Sequence, residues 1–166
     1  MGREQACVLV VDDDLALLQA LPEALRLRMG GVTVDTADSG AAALDRIAAR
    51  DYDAIVVDIK MPGMDGLELL AEIRGRRPDT PILMITGHGE HALAIQALRG
   101  GACDFIQKPI DRDDFVAALR RTILAHALSR RVKDRQSALA RCASELKQIA
   151  ERLGREFDAT SARGTP

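Results

Sequence analysis

Five side chains in this sequence have the types and intervals to handle a phosphoryl group: Asp12, Asp13, Asp58, Thr86 and Lys108. Carboxylates brought together repel and raise one another's pKa unless a cation sits among them. An all-oxygen set with room for water suits Mg²⁺ or Mn²⁺. No His or Cys stands in the set, which argues against zinc. A hard metal beside an ammonium and a hydroxyl is a way to hold and neutralise a phosphoryl group. Each residue also has a plainer use. Asp13 or Asp14 could cap a helix beginning at Leu15, and Asp58 could be an ordinary loop residue before Met61-Pro62-Gly63. Thr86-Gly87 could be a turn that ends a strand, and Lys108 a solvated charge. Any one of these is the better explanation for a single residue. All of them together, each at the end of a strand, favour one site.

Those strand ends come from a repeating rhythm. Short apolar runs at Cys7–Val11, Val32–Thr36, Ala54–Val57, Ile82–Ile85 and, more weakly, Phe105–Gln107 read as strands. Buried parallel strands need not alternate, because helices cover both faces. Helical spacing fills the gaps: Leu15, Leu18, Leu21 and Leu25; Ala41, Leu44, Ile47 and Ala48; Leu67, Leu70 and Ile73; Leu93, Ile95, Ala97 and Leu98; Phe115, Leu119 and Ile123. Gly30-Gly31, Gly75 and Gly100-Gly101 mark where helices should stop. The expected fold is α/β, a doubly wound five-stranded parallel sheet in the flavodoxin-like order 2-1-3-4-5, with an extended C-terminal helix. In such sheets functional groups gather beyond the carboxyl ends of the strands. Asp12-Asp13, Asp58, Thr86 and Lys108 all fall there.

Composition narrows the alternatives. The chain has 166 residues, 47% hydrophobic and 29% charged, which suits an ordinary globular protein. Only 2% are aromatic (Tyr52, Phe105, Phe115 and Phe157), too few for a stacking surface for single-stranded nucleic acid. Cys7, Cys103 and Cys142 are odd in number and far apart, so neither a disulfide framework nor a paired-thiolate zinc site is expected. No stretch approaches the roughly 18 apolar residues of a membrane span, and the start lacks an apolar leader. A reducing, cytoplasmic location is the expectation. Residues 1–125 hold 14 Lys and Arg against 20 Asp and Glu, a net of −6, whereas 126–166 hold 9 against 5, a net of +4. An acidic body with a basic tail implies two parts: 1–125, and a helical extension over 126–154 followed by a disordered tail over 155–166.

Four stretches carry a family resemblance: Val10-Val11-Asp12-Asp13-Asp14, Val57-Asp58-Ile59-Lys60-Met61-Pro62-Gly63-Met64-Asp65-Gly66, Met84-Ile85-Thr86-Gly87 and Asp104-Phe105-Ile106-Gln107-Lys108-Pro109. In order and spacing, residues 6–125 resemble the CheY-like receiver domains of two-component response regulators. The resemblance implies that Asp58 accepts a phosphoryl group from the phosphohistidine of a histidine kinase or phosphotransfer protein. It implies Mg²⁺ (or Mn²⁺) held by Asp13, Asp58 and the Lys60 carbonyl, with Asp12 acting through water. Lys108 would pair with the phosphoryl oxygens, Thr86 would swing in to hydrogen-bond one, and Phe105 would rotate inward and alter the helix 4–strand 5–helix 5 face. Lys60 and His88 would tune the lifetime of the phosphoryl group, although His88 also reads as a solvent-exposed loop residue. Lys108-Pro109 is expected cis, and Gly66 is expected to make a left-handed turn. Apart from assisting its own phosphorylation and slow dephosphorylation, such a domain is a signalling module rather than an enzyme.

Apolar periodicity continues past the receiver. Val132, Leu139, Leu146 and Leu153 recur every seven residues, with Leu128, Cys142 and Ile149 between them and Arg135 interrupting the seam. No Pro or Gly occurs between Asp111 and Gly154, so helix 5 should continue for about 43 residues, or about 65 Å. Such a stripe should pair, and a parallel homodimeric coiled coil is the preferred reading over packing on its own receiver or a partner. No helix-turn-helix, phosphate loop or catalytic output motif appears within the 166 residues, which speaks against direct DNA binding. The competing reading is the receiver and linker of a DNA-binding transcriptional regulator or hybrid kinase. A third, an acid-site hydrolase on a similar sheet, is disfavoured by the Thr86 and Lys108 pairing.

Overall fold

The computed structural model describes residues 5–164. Its elements run β1 (Ala6–Val11), α1 (Leu15–Met29), β2 (Val32–Ala37), α2 (Gly40–Ala49), β3 (Ala54–Asp58), α3 (Gly66–Arg76), β4 (Ile82–Thr86), α4 (His91–Arg99), β5 (Asp104–Gln107) and α5 (Arg112–Ser161). All five strands are parallel and lie in the order β2-β1-β3-β4-β5, as expected. The α/β part, residues 5–127, and the helical part from Leu128 onward form separate units.

Strand geometry explains the continuous apolar runs. Successive side chains point to opposite faces, so a strand covered on both sides must be apolar throughout. Leu9, Val11, Ile55, Val57 and Met84 enter one core with Ala43 and Ile47 of α2, Leu69, Leu70 and Ile73 of α3, and Ala97 of α4. Val8, Val10, Val56, Leu83 and Ile85 enter the other core with Leu18, Leu21 and Leu25 of α1 and Phe115, Val116 and Leu119 of α5. The edge strand β5 is covered less and alternates half-buried with exposed. That is why its apolar signal in the sequence is weak.

Several boundaries differ from expectation. β3 extends one residue to include Asp58, and β4 one residue to include Thr86, because the ladder continues through Asp58–Ile85 and Thr86–Gln107. Both polar side chains are therefore held by sheet rather than by loop. Gly75 does not stop α3, which ends at Arg76. A solvent-facing glycine costs a helix about 1 kcal/mol and does not break it. Gly154 likewise leaves α5 intact, so the stretch expected to be disordered from 155 is helical to Ser161. Glu151 with Arg155 and Arg152 with Glu156 stand four apart there, an arrangement that favours helix. Residues 165–166 of that expected tail, and 1–4 of the expected receiver span, lie outside the described residues.

Gly66 is the clearest correction. It is the first residue of α3 and not a left-handed turn; the positive φ in this loop, +76°, belongs to Gly63. Gly66 is required by space instead. A Cβ there would stand 2.2 Å from the Asp58 carbonyl oxygen and 2.6 Å from the Ile59 Cα. Its amide donates to the Ile59 carbonyl at 2.7 Å, closing the loop that carries Lys60.

Candidate functional site

Asp12 follows β1 directly and is fully buried. Its Oδ1 accepts the Asp14 N–H at 2.8 Å, while Asp14 caps α1 by accepting from Ala16 and Leu17. The Asp14 capping role read from the sequence is therefore present, and Asp13 is left exposed between the two. One strand away, Asp58 closes β3 with its side chain 6% exposed. Carboxylate oxygens of Asp12, Asp13 and Asp58 come within 4.8 Å of one another.

Lys108, just beyond β5, reaches across this cluster. Its Nζ lies 3.3 Å from Asp58 Oδ1 and 3.4 Å from Asp12 Oδ2. Its backbone N–H donates to the Thr86 carbonyl at 2.7 Å, which anchors the segment to β4. The Lys108–Pro109 peptide is cis, as expected. Thr86, at the end of β4, is buried. Asp12, Asp13, Asp58 and Lys108 therefore converge at the carboxyl edge of the sheet, and Thr86 closes the strand beside that of Asp58.

The electrostatics are those of a crowded acidic pocket. Burial, then the neighbouring Asp12 charge, push Asp58 up to about 6 despite Lys108. Burial likewise raises Asp12, with the Asp14 N–H and Lys108 opposing it. Burial works to lower Lys108, but the Asp58 and Asp12 carboxylates outweigh it and raise the ammonium above its usual range. One ammonium does not satisfy the pair: Asp12 Oδ2 is buried and makes no hydrogen bond. Three oxygen donors with a net negative charge fit a hard divalent cation at this spot.

The outer residues are placed differently. Lys60 extends into solvent and pairs with Glu90, whose Oε2 also accepts the Gly87 N–H at 2.6 Å. Those two hydrogen bonds hold the Glu90 carboxyl below the usual carboxylate range. Sequence reading missed Glu90, because nothing in the stretch Gly87-His88-Gly89-Glu90 signals that its side chain turns back on the loop. His88 is exposed, with Nδ1 3.5 Å from Gln107 Nε2. Phe105 stands on the outward side of β5, 36% exposed, and is not a core residue in this state.

A sheet of this order, with acids, a hydroxyl and a lysine at its carboxyl edge, has well-marked relatives. Residues 8–120 match the family described as the response regulator receiver domain, and the chain belongs to that family. It is 45% identical over 120 residues to the C4-dicarboxylate transport transcriptional regulatory protein DctD of Pseudomonas aeruginosa, covering 72% of this chain and 25% of that protein. It is 37% identical over 153 residues to the response regulator protein FleR of the same organism, covering 90% of this chain and 31% of that one. Among solved structures, NtrX from Brucella abortus superposes with a TM-score of 0.72 at 36% identity, covering 78% of this chain and 29% of that one. The chain thus spans roughly a quarter to a third of these relatives. It is a two-component receiver, a signalling domain, and no helix among the described residues is long and apolar enough to cross a membrane.

Proposed function

We propose that Asp58 accepts a phosphoryl group from the phosphohistidine of a histidine kinase or phosphotransfer protein. The observation that carries this reading is the Lys108 ammonium, held within 3.4 Å of both Asp12 and Asp58 at the carboxyl edge of the sheet. An Asp58 oxygen attacks phosphorus, the O–P bond forms as the N–P bond breaks, and the imidazole leaves with the electron pair. Asp58 attacks as the carboxylate, the form that the Lys108 ammonium and a bound cation favour. Asp13, Asp58 and the Lys60 carbonyl would hold Mg²⁺ (or Mn²⁺), with Asp12 contributing through water. The cation supplies neutralisation of the crowded carboxylates and incoming phosphoryl oxygens. Lys108 pairs with one phosphoryl oxygen, and the Thr86 hydroxyl donates to another. Movement of Thr86 opens space for Phe105 to turn inward, changing the α4–β5–α5 face. Lys60 and His88, two residues beyond Asp58 and Thr86, flank the approach of water and set the lifetime of the acyl phosphate.

The helical part is the proposed output. Leu128, Val132, Leu139, Leu146 and Leu153 are all more than half exposed along one seam, which supports a parallel homodimeric coiled coil. A second reading rests on the match to FleR, which takes in the extension and covers only 31% of that protein. Under it, these residues are the receiver and linker of a longer transcriptional regulator, with DNA binding supplied elsewhere. The mass of the natural protein separates the two.

Incubation with Mg²⁺ and acetyl phosphate tests the chemistry. Intact mass should show one added phosphoryl group, absent in Asp58→Ala. Unchanged labelling of that variant would move the acceptor to another residue.

A further inference from the structure

Glu90 occupies the N-cap position of α4 but makes no capping bond to it. Its carboxylate turns back instead. Oε2 accepts the Gly87 N–H at 2.6 Å, and Oε1 pairs with Lys60 Nζ at 2.5 Å. One carboxylate, with its side chain only 13% exposed, therefore ties the loop after β4 to the loop after β3. These are the two loops that flank Asp58. The fit is close: a Cβ on Gly87 would stand 3.0 Å from Glu90 Cδ and Oε1, and 3.1 Å from Oε2, so the carboxylate would have to give by a few tenths of an ångström. Gly89, with φ +81°, lets the chain double back between them.

The two groups that Glu90 holds are a backbone N–H beside Thr86 and an ammonium two residues beyond Asp58. Both are natural partners for an anion, and both lie on loops that leave the carboxyl edge of the sheet. On the reading that Asp58 is the phosphoacceptor, we infer that Glu90 is a positioning residue that serves as an internal anion in the unphosphorylated chain. A phosphoryl group on Asp58 draws the Gly87 N–H and the Lys60 ammonium toward itself. Glu90 then loses both partners, and the first turn of α4, which begins at the next residue, is released. The latch thus couples the charge on Asp58 to the start of a helix that contributes to the output face.

Hydrogen exchange over residues 87–95 of the full chain tests this, before and after incubation with Mg²⁺ and acetyl phosphate, with phosphoryl uptake counted by intact mass. In the wild type, exchange over this segment should rise about 5-fold or more on phosphorylation, as a local opening would produce. Glu90→Gln and Gly87→Ala should each show that rise beforehand, with phosphorylation adding less than about 2-fold. Gly87→Ala makes the comparison stringent, since its methyl presses on the carboxylate and leaves every charge in place. Low exchange in both unphosphorylated variants would overturn the latch. So would a wild type that takes up phosphoryl with no change in exchange. A wild type that takes up none would overturn the phosphoacceptor reading, and the latch with it.

Discussion

Asp58 carries its charge at a cost, and that cost makes the metal-free protein sensitive to pH. A carboxyl raised from about 3.8 to about 6 binds more protons folded than unfolded, so stability falls as pH rises between those values. Asp58→Asn cannot ionise and escapes the penalty. In chelator at pH 7.5, denaturant unfolding should find this variant more stable, on the order of 2–3 kcal/mol, with the gap closing by about pH 4. Equal stabilities at pH 7.5 would show that burial does not strain the charge. Mg²⁺ should raise the melting temperature of the wild type at pH 7.5 more than that of the variant. Asp12, Asp13, Asp58, Thr86 and Lys108 could be found by reading strand ends, because each follows or closes an apolar run. Glu90 could not, because its role depends on an amide three residues back and a lysine on another loop.

Among the elements, α3 has the most demanding start. Asp65 accepts the N–H groups of Leu67 and Glu68 at 2.9 Å each, and Glu68 accepts the Asp65 N–H at 3.0 Å. This capping box sets the helix directly against the backbone that follows β3, which is why Gly66 has no room for a methyl group. Gly66→Ala should destabilise the fold by about 1–3 kcal/mol or more, because backbone atoms must give way. Chemical denaturation measures it, and a loss below about 0.5 kcal/mol would be the cost of an ordinary exposed site. The sequence reading noticed this glycine for the wrong reason. Conformational freedom is a local property, whereas close approach depends on where a distant strand ends. Helix ends followed the same division. Gly30 and Gly100 do mark the ends of α1 and α4, but Gly75 and Gly154 lie in helix because nothing nearby competes for those turns. Nor did periodicity register Pro22, which is buried inside α1.

At the scale of the whole chain, the sheet order and the continuity of α5 were both legible. Strand rhythm and handed crossovers leave few topologies, and 50 residues of helix follow from a run without Pro and with one late Gly. The pairing of that helix is open to direct test. Leu139→Lys with Leu146→Lys should convert a dimer to a monomer in sedimentation at micromolar concentration, while phosphoryl uptake stays near the wild-type level. A wild type that is monomeric throughout that range would remove the coiled coil. The sheet also has a metrical consequence. Neighbouring strands in any sheet stand about 4.7–4.9 Å apart, and β1 and β3 are neighbours whose ends deliver Asp12 and Asp58. The carboxylate cluster, whose oxygens lie within 4.8 Å of one another, fits inside one such interval. The separation of the two strand ends is inherited from amide hydrogen bonds that all sequences share. The surrounding loops can therefore diverge in length and wording while the two strand ends that carry the acids keep their spacing.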